Sequence, residues 1–156
     1  MKAQDYLIAQ EGHDWGALLA PWRDLLPSQF EVWLVNRIAD VILVDSDGAV
    51  HFLDVGVGSI TRLAGSKDEF GNLIDRDGNA DDWLALDLVD RLVGAGVTLE
   101  PGQCYGFVQP PVLGGEWAPE NVRPLPVAEV YGTAGSIYTR IKDLPDGAEV
   151  RFDTSD

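Results

Sequence analysis

The sequence predicts an α+β domain in which an antiparallel sheet, formed by a meander of hairpins, has helices packed on one side. Three observations lead to this fold class. Short apolar runs follow one another between residues 30 and 64, and residues that favour turns separate them. The pair Asp47-Gly48 lies between two of these runs and is typical of a hairpin turn. Beyond residue 64, helical spacing of the apolar residues becomes more frequent, so strands come first and helices follow.

Residues 1–29 are predicted to form a helical extension ahead of the sheet. Within residues 14–26, apolar side chains recur at the spacing of one helix face, at Trp15, Leu18, Leu19, Trp22, Leu25 and Leu26. Pro21 should start a new turn or kink this helix, because proline lacks the backbone N–H that a helix interior needs.

The next predicted elements are strands at 30–36, 41–46, 49–55 and 59–64. Their β-branched and aromatic residues are typical of strands with at least one buried face. Gly56 and Gly58 allow a bend or bulge before the last of these strands, because glycine adopts backbone angles that other residues avoid.

A helix is predicted to begin at Lys67. Ser66 and Glu69 have the spacing of a capping box, in which the hydroxyl and the carboxylate accept hydrogen bonds from exposed backbone N–H groups. A loop at 75–82 should follow this helix.

A second helix is predicted at 81–93, because one of its faces is apolar at Trp83, Leu84, Leu88, Val89, Leu92 and Val93. Asp81 and Asp82 would lie near its N-terminal end, where the helix dipole favours negative charge. Gly94 or Gly96 should end it.

The rest of the chain is predicted to alternate short elements. A strand beginning at Cys104 should end at a sheet edge or in a loop, because Pro110 and Pro111 cannot donate to a central ladder. The later predictions are a strand at 126–131, a short helix at 136–142 and a closing strand at 148–152. The sequence contains no repeat or convincing linker, so residues 1–156 are expected to form a single domain.

The charge of the chain favours a protein partner over a nucleic acid. Twenty-six acidic residues against eleven basic ones give a formal net charge of −15. Binding to a phosphate backbone depends on Lys and Arg contacts, so direct nucleic-acid binding is not expected. A negative surface attracts a basic protein and speeds the encounter, although acidity also serves simply to maintain solubility. Both interpretations stay open.

Membrane insertion and export are not expected. No apolar run approaches the length of a membrane-spanning helix, and the acidic and polar N-terminal residues do not resemble a signal peptide. The single cysteine, Cys104, cannot form an internal disulfide, which is typical of a reducing compartment. We therefore expect a soluble cytoplasmic protein.

No metal or cofactor is expected from the motifs. Asp75, Asp77 and Asn79 alternate like the first ligands of an EF-hand, but Ala80 and Leu86 occupy the positions of its glycine and glutamate. A Gly-x-Gly pair at 56–58 lacks the third glycine of a dinucleotide-binding loop. One cysteine and two histidines cannot form a standard zinc site.

Catalysis is not expected either. Cys104 could act as a nucleophile only if His13 or His51 came close to it in space, and its position in an apparent strand is typical of an inert, buried cysteine. A small cysteine hydrolase remains the least favoured alternative, and no catalytic residue is predicted.

The segment 110–122 is the most unusual part of the sequence. It places Trp117 between Glu116 and Glu120 in a loop that is stiff at its prolines and free at Gly114-Gly115. If Trp117 points outward, it can anchor a partner at little ordering cost; the alternative is that it caps the core beneath the loop.

The chain resembles a known bacterial family in four runs: WLVNRIADVILVDSDGAVHFLDVG (33–56), LVDRLVGAG (88–96), CYGFVQPPVLGGEW (104–117) and IKDLPDG (141–147). They are similar to the C-terminal domain of type VI secretion immunity proteins that neutralise DNase effectors. The resemblance covers residues 30–147 and implies neutralisation of a toxin by binding it, with no catalytic residues. Family members often carry a further domain ahead of this one, and residues 1–29 are too few to form it, so a stand-alone version is expected.

Charge and resemblance together lead to one hypothesis. An acidic surface can occupy the basic patch at which a nuclease effector would bind DNA phosphates. The predicted partner-binding residues are Asp81, Asp82, Glu116 and Glu120, which would supply charge, and Trp117, which would be the anchor. The alternative is a regulatory or scaffolding domain with a partner other than a toxin.

Overall fold

The computed structural model describes residues 3–142. The strands are β1 (Phe30–Val35), β2 (Val41–Asp45), β3 (Val50–Asp54), β4 (Ser59–Ala64), β5 (Gln103–Phe107) and β6 (Val122–Pro126). The α-helices are α1 (Trp15–Leu18), α2 (Lys67–Leu73), α3 (Asn79–Leu84), α4 (Leu86–Gly94) and α5 (Val127–Ile141). Short 3-10 segments occur at Ala3–Tyr6, Ala20–Trp22, Pro111–Leu113 and Pro119–Asn121. The strand predicted at 148–152 and the end of the IKDLPDG run lie outside the described residues.

Strands β1 to β4 form the predicted antiparallel meander, in the order β1-β2-β3-β4. The turn between β2 and β3 uses the predicted Asp47-Gly48 pair. Gly48 has a φ of 87°, and the Asp45 carboxylate accepts hydrogen bonds from the N–H groups of Asp47 and Ala49 at 2.9 and 3.0 Å. The α+β fold class and the hairpins are therefore confirmed.

Two apolar clusters lie on opposite faces of this sheet. Successive residues of β2 alternate between them: Ile42 packs in one cluster, whereas Val41 and Leu43 pack in the other. Helices α2, α3 and α4 contribute to the first cluster, and α1 and α5 contribute to the second. The helices thus cover both faces of the sheet, whereas the sequence predicted helices on one side only. Coverage of both faces explains why these β2 residues are fully buried.

The helix predicted at 81–93 is interrupted. It consists of α3 and α4, which meet at Ala85, a buried residue with a φ of 53°. The Asp81 carboxylate accepts a hydrogen bond from the N–H of Asp87 at 2.8 Å, in the first turn of α4. The Asn36 side chain also donates to the carbonyl oxygen of Trp83 at 3.1 Å. These hydrogen bonds stabilise the break between α3 and α4, which the apolar periodicity of the sequence does not reveal.

Other helix boundaries agree better with the sequence. Helix α2 begins at Lys67 as predicted, and the Ser66 hydroxyl accepts a hydrogen bond from the N–H of Glu69 at 3.1 Å. The helix predicted at 14–26 breaks near Pro21, which lies in the 3-10 segment after α1.

The predicted strand at 126–131 is wrong, because these residues lead into and begin α5. Their buried side chains, Val127 and Tyr131, are four residues apart, which is helical spacing. The strand is instead β6, which pairs with β5 and contains Pro124 and Pro126. These prolines are tolerated because β6 is an edge strand of a two-stranded sheet.

We expect two glycines of α5 to respond oppositely to alanine. A Cβ at Gly135 would lie 2.5 Å from the Cβ of Pro21, whereas a Cβ at Gly132 would meet no atom within 4 Å. Gly135→Ala should lower the free energy of unfolding by about 1–3 kcal/mol through overpacking. Gly132→Ala should raise it by about 0.5–1 kcal/mol, because alanine favours a helix more than glycine does. Urea unfolding of both variants checks this, and equal effects would contradict the close packing of α5 on Pro21.

Within residues 3–142, no helix has the length and apolar character needed to cross a membrane.

Candidate partner-binding surface

A groove lies beside β4, which is an edge strand of the four-stranded sheet. Its polar lining residues are Asp54, Ser59, Thr61, Asp81 and Asp82, and its apolar ones are Phe52, Leu63, Trp83 and Trp117. This β4 groove has a volume of about 390 Å³. It unites residues from β3, β4, α3 and the loop before β6, and so brings together three of the five predicted partner-binding residues.

Trp117 is 45% exposed, so its ring is not buried beneath the loop. Its ring packs against Phe107, with the two ring centroids 5.1 Å apart and the planes tilted by 40°. Its carbonyl oxygen accepts a hydrogen bond from Arg91 Nη2 at 3.2 Å. The ring therefore has one supported side and one accessible side, the arrangement an aromatic anchor requires.

The loop that presents Trp117 is held by hydrogen bonds. The Asn121 side-chain amide donates to the carbonyl oxygens of Gln109 and Glu116 at 2.8 and 2.9 Å, and its side-chain oxygen accepts from the N–H of Gln109 at 2.9 Å. Gly114 has a φ of 89°, a left-handed backbone conformation that favours glycine. Gly115 is needed for close approach, because a Cβ there would collide with the carbonyl oxygen of Gln109. Trp117 is thus presented on a closed loop.

The other two predicted residues, Glu116 and Glu120, are exposed on the same loop but do not belong to the residues that line the β4 groove. Asp81 and Asp82 are also exposed. Asp81 has a structural role as well, through its hydrogen bond to the N–H of Asp87. The five predicted residues therefore fall into two sets: Asp81, Asp82 and Trp117 line the groove, and Glu116 and Glu120 lie outside it.

Asp54 is a groove residue that the sequence interpretation did not identify. Burial raises the pKa of its carboxyl, although the carboxylate accepts a hydrogen bond from the N–H of Val57 at 3.1 Å. The sequence feature that could have indicated Asp54 is the LDVG run, which places an acidic residue at the end of an apolar strand and before a glycine bend. This pattern does not reveal which face of the sheet the side chain occupies.

The structure disfavours Cys104 as a nucleophile. The thiol is fully buried, and burial raises the pKa of Cys104 to about 12, so it remains protonated. His51 Nε2 lies 2.8 Å from a carboxylate oxygen of Asp45, and the His13 ring lies against Trp15. Within the described part of the chain, no cluster of three His, Cys, Asp or Glu side chains is arranged to hold a metal ion.

A second, smaller cavity of about 150 Å³ lies where two of the family-like runs meet. The first run contributes Val55 and Gly56, and the run at 104–117 contributes residues including Phe107 and Pro111. A Cβ at Gly56 would lie 3.3 Å from Pro111, so this glycine allows the two runs to pack closely. This role explains the glycine of the LDVG run in structural terms.

The comparisons with known proteins support part of the predicted resemblance, because the family match includes the runs at 88–96 and 104–117. Residues 64–137 match the family described as T6SS immunity protein Tdi1, C-terminal. No curated protein sequence matches the chain significantly. A solved structure, the crystal structure of Atu4351 from Agrobacterium tumefaciens, superposes with a TM-score of 0.50 at 15% sequence identity. The superposition covers 76% of this chain and 61% of that chain, and at this identity it supports the fold alone. The family match confirms the resemblance predicted from the sequence over residues 64–137, which are similar to the C-terminal domain of type VI secretion immunity proteins.

Proposed function

We propose that this protein binds a secreted nuclease-type effector in the cytoplasm and neutralises it by covering its basic active surface. The family match supports a role in immunity against a type VI effector. The net charge of −15 supports a basic partner, because carboxylates can take the place of DNA phosphates on a nuclease.

The observation that carries this proposal is the position of Trp117 beside Asp81 and Asp82 in one groove. Binding hot spots commonly combine an aromatic anchor with a polar rim. A lysine or arginine of the effector could lie over the exposed face of the Trp117 ring and pair with a neighbouring carboxylate. The loop is already closed by the Asn121 hydrogen bonds, so little ordering is needed on binding.

The test is capture of the protein encoded by the neighbouring gene, since an immunity gene should lie beside its effector gene. The purified chain should bind that effector and inhibit its nuclease activity. Trp117→Ala should weaken binding by at least about 30-fold, the effect of losing a central aromatic anchor. The unfolding transition of the variant should show that it remains folded.

The charge contribution is tested by the double substitution Asp81→Asn with Asp82→Lys. Asparagine at residue 81 keeps an oxygen for the Asp87 N–H. The matched control is Asp47→Asn with Glu31→Lys, which changes the net charge equally at exposed positions outside the groove. The groove variant should bind about tenfold or more weakly and with less salt dependence, whereas the control should stay within about twofold. If the groove variant and the control weakened binding equally, charge would act only through the net charge of the protein. If the groove variant left the affinity unchanged, Asp81 and Asp82 would lie outside the interface.

A further inference from the structure

The two edges of the four-stranded sheet differ in how they are covered. The edge at β1 is covered by the N-terminal segment: the N–H of Ile8 donates to the Val35 carbonyl at 2.9 Å, and the Gln10 side chain donates to the Trp33 carbonyl at 2.7 Å. Among residues 3–142, no strand pairs with the outer side of β4. The sheet therefore has one covered edge and one edge with backbone groups available for pairing.

The open part of this edge has the composition of a strand that can accept another strand. Ser59, Thr61 and Arg62 are exposed, and Ile60 is partly buried. Proline, which commonly blocks pairing at a sheet edge, is absent from β4. Helix α2 follows β4 after Ala64. The accessible length is therefore the first part of the strand.

The β4 groove runs beside this edge, since Ser59 and Thr61 belong to both. Its carboxylates come from Asp54, Asp81 and Asp82, and its lining contains no Lys or Arg. A segment paired with β4 would place alternate side chains toward these carboxylates and toward Trp117, because strand side chains alternate between faces.

We propose that β4 accepts an extended segment of the effector as an added antiparallel strand. The segment carries Lys or Arg at alternate positions, and those residues lie in the β4 groove, one of them over Trp117. This inference rests on the proposed function, and it adds a mode of binding in which backbone hydrogen bonds contribute affinity and alternate side chains contribute specificity.

A second copy of this chain is a poorer occupant of the edge. Pairing of β4 with β4 would bring the carboxylates of two grooves together, and two chains that each carry a charge of −15 repel one another. The charge of the groove therefore selects a basic segment.

The experiment uses two synthetic eight-residue peptides of equal composition and charge. In one, Arg alternates with Thr; in the other, four Arg residues precede four Thr residues. Hydrogen–deuterium exchange of the full chain is measured with each peptide, and in parallel with the effector encoded by the neighbouring gene. The alternating peptide and the effector should each slow exchange of the β4 amides between Ser59 and Arg62 by several-fold, and the block peptide should do so much less.

A matched pair of variants tests the side-chain part of the proposal. Thr61→Arg places a positive charge in the groove, whereas Ser46→Arg places the same charge in the exposed β2–β3 turn. Thr61→Arg should weaken binding of the alternating peptide by about tenfold, and Ser46→Arg should change it by less than about twofold.

The outcomes separate this inference from the proposed function. Capture of the effector without protection of β4 would overturn strand addition and leave the immunity role standing. Failure to capture the effector would overturn the immunity role and, with it, the effector as occupant. Equal protection by the two peptides would show attraction by charge alone. Protection of β4 that increases with protein concentration when no peptide is present would show self-association. Either result overturns the proposal.

Discussion

Truncation of Trp22 to alanine should lower the free energy of unfolding by about 3–5 kcal/mol, the usual cost of removing a large aromatic side chain from a core. Trp22 is fully buried between the sheet and α5 and stacks on Tyr138, with ring centroids 5.4 Å apart. Its indole N–H also donates to the carbonyl oxygen of Tyr131 at 3.3 Å. Removing the ring therefore leaves a cavity and removes this hydrogen bond at the contact between the N-terminal extension and α5.

Urea unfolding measures this effect, and Trp117→Ala is its matched control. Trp117 is 45% exposed, so its truncation should cost much less stability than the truncation of Trp22. The two variants should thus show opposite profiles, with a large loss of stability for Trp22→Ala and a large loss of binding for Trp117→Ala. A small stability loss at residue 22 would mean that the extension contributes little to the second apolar cluster.

The stability of the protein should fall as the pH rises above the ordinary range of an aspartate, because Asp40 is buried. Its side chain accepts hydrogen bonds from the N–H of Val55 at 3.0 Å and from the Asn36 amide at 3.3 Å. Burial, with a further contribution from the nearby charge of Asp54, nevertheless raises the pKa of Asp40 well above its usual value. The neutral acid is therefore favoured in the folded protein.

The direction of the pH effect follows from proton binding. Between the unfolded and the folded pKa, the folded state holds a proton on Asp40 that the unfolded state has released, so a rise in pH favours unfolding. The stabilising contribution of the Asp40 proton is complete below the pKa that Asp40 has in the unfolded state. It is lost progressively up to the pKa that Asp40 has in the folded state, at up to about 1.4 kcal/mol per pH unit.

Urea titrations at a series of pH values from about 4 to 8 measure this slope. Asp40→Asn removes the titrating group and should give a shallower slope than the natural protein. Part of the slope should remain, because burial also raises the pKa of Asp54. Identical slopes in the two proteins would contradict a raised pKa of Asp40 in the folded state.

The sequence alone was sufficient for the elements that depend on local chemistry. The strands of the meander, the Asp47-Gly48 turn and the start of α2 at Lys67 all agree with the structure. Each is set by residues that are neighbours in the chain, namely a glycine at a left-handed turn position, a hydroxyl at a helix start and alternating apolar side chains. The family resemblance was also predictable, because the motifs that carry it are continuous runs of residues.

The candidate site was predictable in its parts and not in its arrangement. For Trp117, the sequence predicts either an exposed anchor or a cap on the core. For Asp81 and Asp82, it predicts a position near the start of a helix. Their assembly with Asp54 into one groove depends on how α3 and the loop fold back onto β3 and β4. This is a long-range property, and no local pattern encodes it.

The sequence by itself determined the fold class, the hairpins and the family resemblance. Only the tertiary structure decided where long-range contacts override local conformational preference. Helical periodicity runs through Ala85, yet the chain breaks there because Asn36 and Asp81 bind the backbone on either side. Proline disfavours a strand at β6, yet pairing with β5 makes one at a sheet edge. At Ala85, hydrogen bonds from non-adjacent residues outweigh a helical preference of less than about 1 kcal/mol per residue. At β6, the edge position removes the cost of proline, because one side of an edge strand needs no backbone donors.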